Sequence, residues 1–149
     1  MLSLGRFCRY IDHKLRVSLP PEILAATGKN IIIARSPDGC LFLFSLKEFE
    51  RTISSVLRLP LENTNARNRR REKTAAAFPA MLDNQRRVTL PPSLAEYASL
   101  RRGERAVISG MGNCFELWSE SVLRDFEKKN GPQTIVSQAE EIVKKVQKK

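Results

Sequence analysis

Apolar residues along this chain fall into short blocks whose spacing switches between the two-residue period of strands and the longer period of helices. Phe7 and Ile11 share one face of an extended segment, and Phe78 and Leu82 do the same further on. Ile31-Ile32-Ile33 and Cys40-Leu41-Phe42-Leu43-Phe44 are continuous, β-branched or aromatic, and separated by Ser36-Pro37-Asp38-Gly39. Such runs, bounded by turn formers, predict strands buried on both faces and joined as a hairpin. Ser45-Leu46-Lys47-Glu48 has the spacing of a capping box, and Phe49, Ile53, Val56 and Leu57 follow on one stripe, so a helix is predicted to about Pro60. Ser119-Glu120 opens a matching helix with Val122, Leu123 and Phe126 inward, ending before Gly131-Pro132.

These blocks recur because the sequence repeats itself. Asp12 to Pro21, DHKLRVSLPP, and Asp83 to Pro92, DNQRRVTLPP, agree at six of ten positions at an offset of 71. Gly39 to Ser45, GCLFLFS, matches Asn113 to Ser119, NCFELWS, at an offset of 74, which places three extra residues near Leu100 to Arg105. Each copy reads as a strand, a charged turn, a short strand closed by Leu-Pro-Pro, two apolar strands around a tight turn, and a helix. The division is a first module over 1–60, a basic linker helix over 61–75, a second module over 76–130 and a Lys-rich tail helix over 131–149. In the tail, Ile135, Ala139, Ile142, Val143 and Val146 form the apolar stripe. At 149 residues, neither module is large enough to bury a sufficient core alone, so the two are expected to share one.

Charge narrows the function. Lys and Arg number 26 against 16 Asp and Glu, a net +10 with a pI near 10.0. That surplus exceeds what solubility asks of a short chain and attracts polyanions at long range. No run approaches the roughly 20 apolar residues of a membrane span. Met1 to Arg6 lacks the basic and apolar regions of a signal peptide, so a cytoplasmic location is expected. Cys8, Cys40 and Cys114 are odd in number and far apart, which reads as reduced thiols packed in strands, and His13 is the single histidine. No nucleophile-and-base constellation can be assembled from these residue types; no catalysis, metal or cofactor is expected. Phe42, Phe44, Phe115 and Trp118 look buried, which disfavours stacking on single strands.

Candidate binding residues lie at the two charged turns and in the linker. Lys14 and Arg16 in the first copy, and Arg86 and Arg87 in the second, are cations beside a turn-forming Asp, donors that a hairpin tip can present in a groove to guanine or phosphate. Asp12 and Asp83 precede these turns and are expected to structure them. The alternative is that Arg16 and Arg87 merely pair with those carboxylates, and both readings can hold together. Arg67, Arg69, Arg70, Arg71 and Lys73 make Asn63 to Lys73 the most basic segment, either a solvated helix or a strip of phosphate contacts.

The two Asp-x-x-x-Arg turns resemble those of the MraZ transcriptional regulators, whose modules are similar to AbrB-type swapped-hairpin barrels. Agreement extends to Asp38-Gly39-Cys40-Leu41, Leu59-Pro60-Leu61, Val107-Ile108-Ser109-Gly110 and Phe115-Glu116-Leu117-Trp118-Ser119, over roughly residues 1 to 130. The resemblance implies a β-dominated α+β fold: a tandem duplicated double-ψ or swapped-hairpin β-barrel with external helices. It further implies a nucleoid-associated homo-oligomeric ring that binds double-stranded DNA at promoter direct repeats of the division and cell-wall gene cluster. Arg16 and Arg87, with Lys14, are the DNA contacts carried over. The family has Gly before each Arg, whereas Leu15 and Arg86 stand here. Such a change implies an altered turn or stored strain. The alternative reading is a non-catalytic oligomeric interaction scaffold or antitoxin-like module, which an apolar Leu15 tip would suit.

Overall fold

The computed structural model describes residues 2–131 and 143–147. The chain runs β1 (Arg6–Tyr10), β2 (Arg16–Ser18), α1 (Pro21–Thr27), β3 (Asn30–Arg35), β4 (Leu41–Ser45), α2 (Leu46–Leu57) and α3 (Thr64–Thr74). It continues through β5 (Phe78–Met81), β6 (Arg87–Thr89), α4 (Pro92–Tyr97), β7 (Arg105–Gly110), β8 (Phe115–Ser119) and α5 (Glu120–Lys129). The fold is α+β, and strands outnumber helices among the described residues. Ser45 caps α2 by accepting from the Glu48 N–H at 3.2 Å, as the capping-box spacing predicts. The short helices α1 and α4 have no counterpart in the periodicity of apolar residues. Their signal is Pro21 and Pro92 at the first helical position, where a missing N–H and a fixed φ suit a helix start.

Among the described residues six strands form one antiparallel sheet in the order β1-β7-β8-β4-β3-β5, and β2 and β6 pair in a separate two-stranded ribbon. Exchanging the two halves reverses this order onto itself. Phe7 pairs with Ile108, and Phe78 pairs with Ile33, so the first strand of each half joins the sheet of the other. This register puts β7 at an offset of 75 from β3, and β8 at 74 from β4. Four residues are therefore inserted before β7, and the turn after it is one residue shorter. The ladders do not close into a barrel: β1 and β5 end the large sheet, and Pro20-Pro21 and Pro91-Pro92 supply no N–H donors to extend the ribbon.

Side-chain alternation divides the sheet faces. Ile31, Ile33, Leu41, Leu43, Ala106, Ile108, Phe115 and Leu117 point into one core with Val17, Val88, Ile23 and Leu94, beneath the β2–β6 ribbon and helices α1 and α4. On the opposite face, Ile32 and Phe44 meet Phe49 of α2, while Val107 and Trp118 meet Leu123 and Phe126 of α5. The core thus draws on both halves, and the apolar runs are buried from two sides. Ile31 to Ala34 lies inside the sheet between β4 and β5, and among the described residues β1 and β5 are its edges. Cys8 departs from expectation: the pleat turns Phe7 inward and leaves Cys8 exposed, whereas Cys40 and Cys114 are buried. In the tail, 143–147 is helical with Val143 and Val146 exposed, and Ile135, Ala139 and Ile142 lie outside the described residues.

Candidate nucleic-acid interface

Asp12 builds the first turn with one carboxylate. Its Oδ1 accepts from the Lys14 and Arg16 backbone N–H groups, each at 2.8 Å, and its Oδ2 accepts from Arg16 Nε at 2.7 Å. Asp83 repeats the pattern with the N–H groups of Gln85 at 2.8 Å and Arg87 at 2.9 Å, and with Arg87 Nε at 2.8 Å. Desolvation pushes the Asp12 carboxyl up, but the Arg16 and Lys14 N–H groups and the Arg16 guanidinium outweigh it and hold the group at about 2. Asp83 is lowered too, first by the Arg87 backbone N–H. Each Asp therefore stays ionised and fixes its Arg by Nε. Arg16 and Arg87 are each paired through Nε, and their terminal nitrogens make no hydrogen bond among the described residues.

The residue before each Arg is left-handed, with φ of +57° at both Leu15 and Arg86. Such a φ is free for Gly and strained for a branched or long side chain. The two turns share one backbone pattern: Leu15 N–H donates to the Asp12 carbonyl at 3.1 Å and Arg86 N–H to the Asp83 carbonyl at 3.0 Å. Their own carbonyls accept across the halves from Leu90 N–H at 2.8 Å and Leu19 N–H at 2.7 Å. The side chains diverge. Leu15 is only 8% exposed and belongs to the main core, so it presents no apolar tip to a partner. Arg86 is partly buried, and its Nε is buried with no hydrogen-bond partner among the described residues.

The β2–β6 ribbon brings the two turns together. Val17 pairs with Val88, and both are fully buried; Arg16 pairs with Thr89, and Ser18 with Arg87, on the outward face. Arg16 and Arg87 are thus diagonal neighbours, with Cα atoms about 8 Å apart from strand rise and spacing. Two guanidiniums and two hydroxyls form one patch rather than two remote points. Ser18 and Thr89 join the site only through this pairing; their one sequence signal is the two-residue spacing from an Arg on an alternating strand. At the first tip, His13 and Lys14 are exposed, and Arg102 Nε donates to the His13 carbonyl at 2.8 Å.

The linker cations divide by role. Arg67 donates to the Leu61 carbonyl at 2.7 Å and to Thr64 Oγ1 at 2.9 Å, and Arg70 donates to the Leu57 carbonyl at 2.8 Å at the end of α2. Arg71 donates to Asn68 Oδ1 at 2.9 Å. Arg69 and Lys73 make no side-chain hydrogen bond among the described residues. Helix α3 packs on α2, on the side of the large sheet opposite the ribbon. The structure therefore does not gather the linker strip and the hairpin patch onto one face.

Buried chemistry elsewhere is inert. Burial pushes the Cys40 thiol far up and the Cys114 thiol up to about 11, so both stay protonated. Glu116 is buried and accepts from Cys40 Sγ at 3.3 Å and from Trp118 Nε1 at 3.2 Å.

The family model described as "MraZ protein", with the qualifier "antitoxin-like", matches residues 5–72 and again 74–144. A protein of Natranaerobius thermophilus is 31% identical over 142 residues, spanning 95% of this chain and 97% of its own length. One of Paenarthrobacter aurescens is 35% identical, over 84% of this chain and 86% of its own. A third, of Bifidobacterium longum, is 33% identical over 87% of each. All three carry the name "Transcriptional regulator MraZ".

Proposed function

Because the chain belongs to the MraZ family, we propose that it is a sequence-specific transcriptional regulator that binds double-stranded DNA. The observation that carries this reading is the outward ribbon face, where Asp12 and Asp83 hold Arg16 and Arg87 by Nε and leave their outer nitrogens for an acceptor. A two-stranded ribbon fits the major groove, and Arg with a hydroxyl neighbour matches guanine edges and phosphate. The net charge of +10 supplies long-range attraction to the duplex. Lys14 and Arg86 flank the patch, and Arg69 and Lys73 are the linker cations best placed for phosphate.

The finer reading follows the resemblance. Residues 1–60 and 76–130 are two AbrB-like swapped-hairpin modules joined by the basic linker 61–75. Copies of the chain assemble into a ring-shaped homo-oligomer, which binds short direct repeats in the promoter of the division and cell-wall gene cluster, within the cytoplasm at the nucleoid. The open edges support self-association: Tyr10 on β1 and Met81 on β5 are exposed apolar side chains beside unpaired backbone. No described helix is long and apolar enough to cross a membrane. No catalytic step is assigned.

Binding is tested on duplexes carrying the direct repeats and on shuffled duplexes of the same composition. The Arg16→Ala, Arg87→Ala double variant should lose preference for the repeats by about 1–3 kcal/mol per base contact removed. Unchanged affinity and selectivity in a folded, oligomeric double variant would remove the base-reading role. A monomeric mass by light scattering at micromolar concentration in moderate salt would remove the ring.

A further inference from the structure

Two arginines of α3 tie that helix to the rest of the molecule. Arg67 and Arg70 donate to the Leu61 and Leu57 carbonyls, and Ala66 is the one buried residue of the helix. Arg69, Arg71 and Lys73 are exposed. Arg69 and Lys73 stand at i,i+4, as do Arg67 and Arg71, and Glu72 is the only carboxylate on α3. Like charges at that spacing destabilise a helix, and a polyanion laid across them relieves the repulsion. The surrounding layer has the same sign: from Leu46 to Thr74, α2, α3 and their connection carry eight Lys and Arg against four Glu. The three exposed cations lie within about 6 Å of helix axis, and a duplex presents one charge per about 1.7 Å.

Where this surface sits decides which polyanion it serves. The Arg16–Arg87 patch faces outward from the β2–β6 ribbon on one side of the large sheet, and α3 packs on α2 on the other. Adjacent layers of a fold pack about 10 Å apart, so the two charged surfaces lie about 20 Å from each other across the core. DNA has a persistence length of about 50 nm, so a duplex seated on the ribbon runs past the subunit and cannot turn back to its α3. That helix is left to a second duplex, or to a distant segment of the first. A bilayer is the poorer match, because α3 carries no large apolar side chain to enter one.

We propose that the protein bridges DNA: the ribbon selects one duplex by sequence, and Arg69, Arg71 and Lys73 on the far side grip the phosphates of a second. This rests on the DNA-binding reading above and adds to it a separate, sequence-independent contact that brings two stretches of DNA together.

The test uses the full-length protein and the duplex it most enriches from a randomised pool. That duplex, biotinylated, holds the protein on beads; a fluorescent duplex of shuffled sequence is added, and its capture is measured against salt. The parent should capture it, with a log–log salt slope that grows by about 0.9 for each phosphate held. Arg69→Glu with Lys73→Glu should lower capture about tenfold or more, yet still prefer the enriched duplex over its shuffled form by the parent's ratio. Arg69→Lys with Lys73→Arg keeps the charge and should capture as the parent does. Both double variants retain the Arg67 and Arg70 bonds that dock α3, so the helix stays in place. If the charge reversal captures as much as the parent, ribbons of different subunits do the bridging and the role of α3 is overturned. A parent that holds the enriched duplex and captures no second one, or takes phosphatidylglycerol vesicles in its place, overturns the bridging while DNA binding stands. If the parent enriches no duplex, the DNA-binding reading itself fails, and this inference with it.

Discussion

Leu15→Gly puts two opposing effects at one residue. At φ +57° a leucine carries a left-handed conformation that glycine adopts freely, a relief of about 1 kcal/mol. Against it stands the side chain, 8% exposed among Val17, Leu94, Ala95 and Leu100 of the main core. Removing a core leucine costs about 2.7–5 kcal/mol. The lower end applies here, because Leu15 borders an open cavity of about 330 Å³ lined also by Pro92, Ala95 and Leu100, which solvent can enter without a sealed void forming. Glycine adds roughly 0.5–1 kcal/mol of unfolded-chain entropy. The balance is a loss of about 2 kcal/mol, or about 4–8 °C in melting temperature. Urea and thermal unfolding of the parent, Leu15→Gly and Leu15→Ala measure it directly. Leu15→Ala should fall within about 0.5 kcal/mol of Leu15→Gly, because glycine's conformational relief and its entropic cost nearly cancel. A Leu15→Gly protein more stable than its parent would refute the packing argument and show that backbone strain outweighs side-chain burial at this turn.

Acid should destabilise the fold through the two turns. Because the folded carboxyls lie below their ordinary 3.8, with Asp12 at about 2, their contribution is full above about pH 4 and fades as pH falls toward 2; Asp12→Asn with Asp83→Asn should flatten that limb of the urea-midpoint profile. In the linker, Arg69→Glu with Lys73→Glu should leave the melting temperature unchanged and weaken all duplexes alike. Arg67→Glu with Arg70→Glu should lower it, because these side chains satisfy the Leu61 and Leu57 carbonyls. A maleimide probe followed by mass spectrometry should label Cys8 in the native protein and reach Cys40 and Cys114 only after denaturation; native labelling of either buried thiol would contradict its burial.

Local chemistry makes much of this protein readable from its residues. The duplication, the capping box at Ser45, the apolar hairpin runs and the paired Asp-x-x-x-Arg turns each depend on neighbours within a few positions, where periodicity and turn propensity act. The helices after Leu-Pro-Pro carry a local signal as well, in the Pro at the first helical position, though each is too short to show an apolar stripe. Other features depend on partners far along the chain. That β1 joins β7 and β5 joins β3 follows from ladder bonds between halves, to which a two-residue period is indifferent. The exposure of Cys8 follows from which face of β1 meets the core, and the capping duties of Arg67 and Arg70 from where α3 docks on α2. The largest gap is at Leu15 and Arg86. A non-glycine residue at such a position suggests a different turn, because backbone preference is judged one residue at a time. Cross-half bonds from Leu90 and Leu19, with the Asp carboxylates beneath, hold both at +57° regardless. A strained backbone persists where surrounding contacts over-determine it, and those contacts exist only once the two halves have folded around each other.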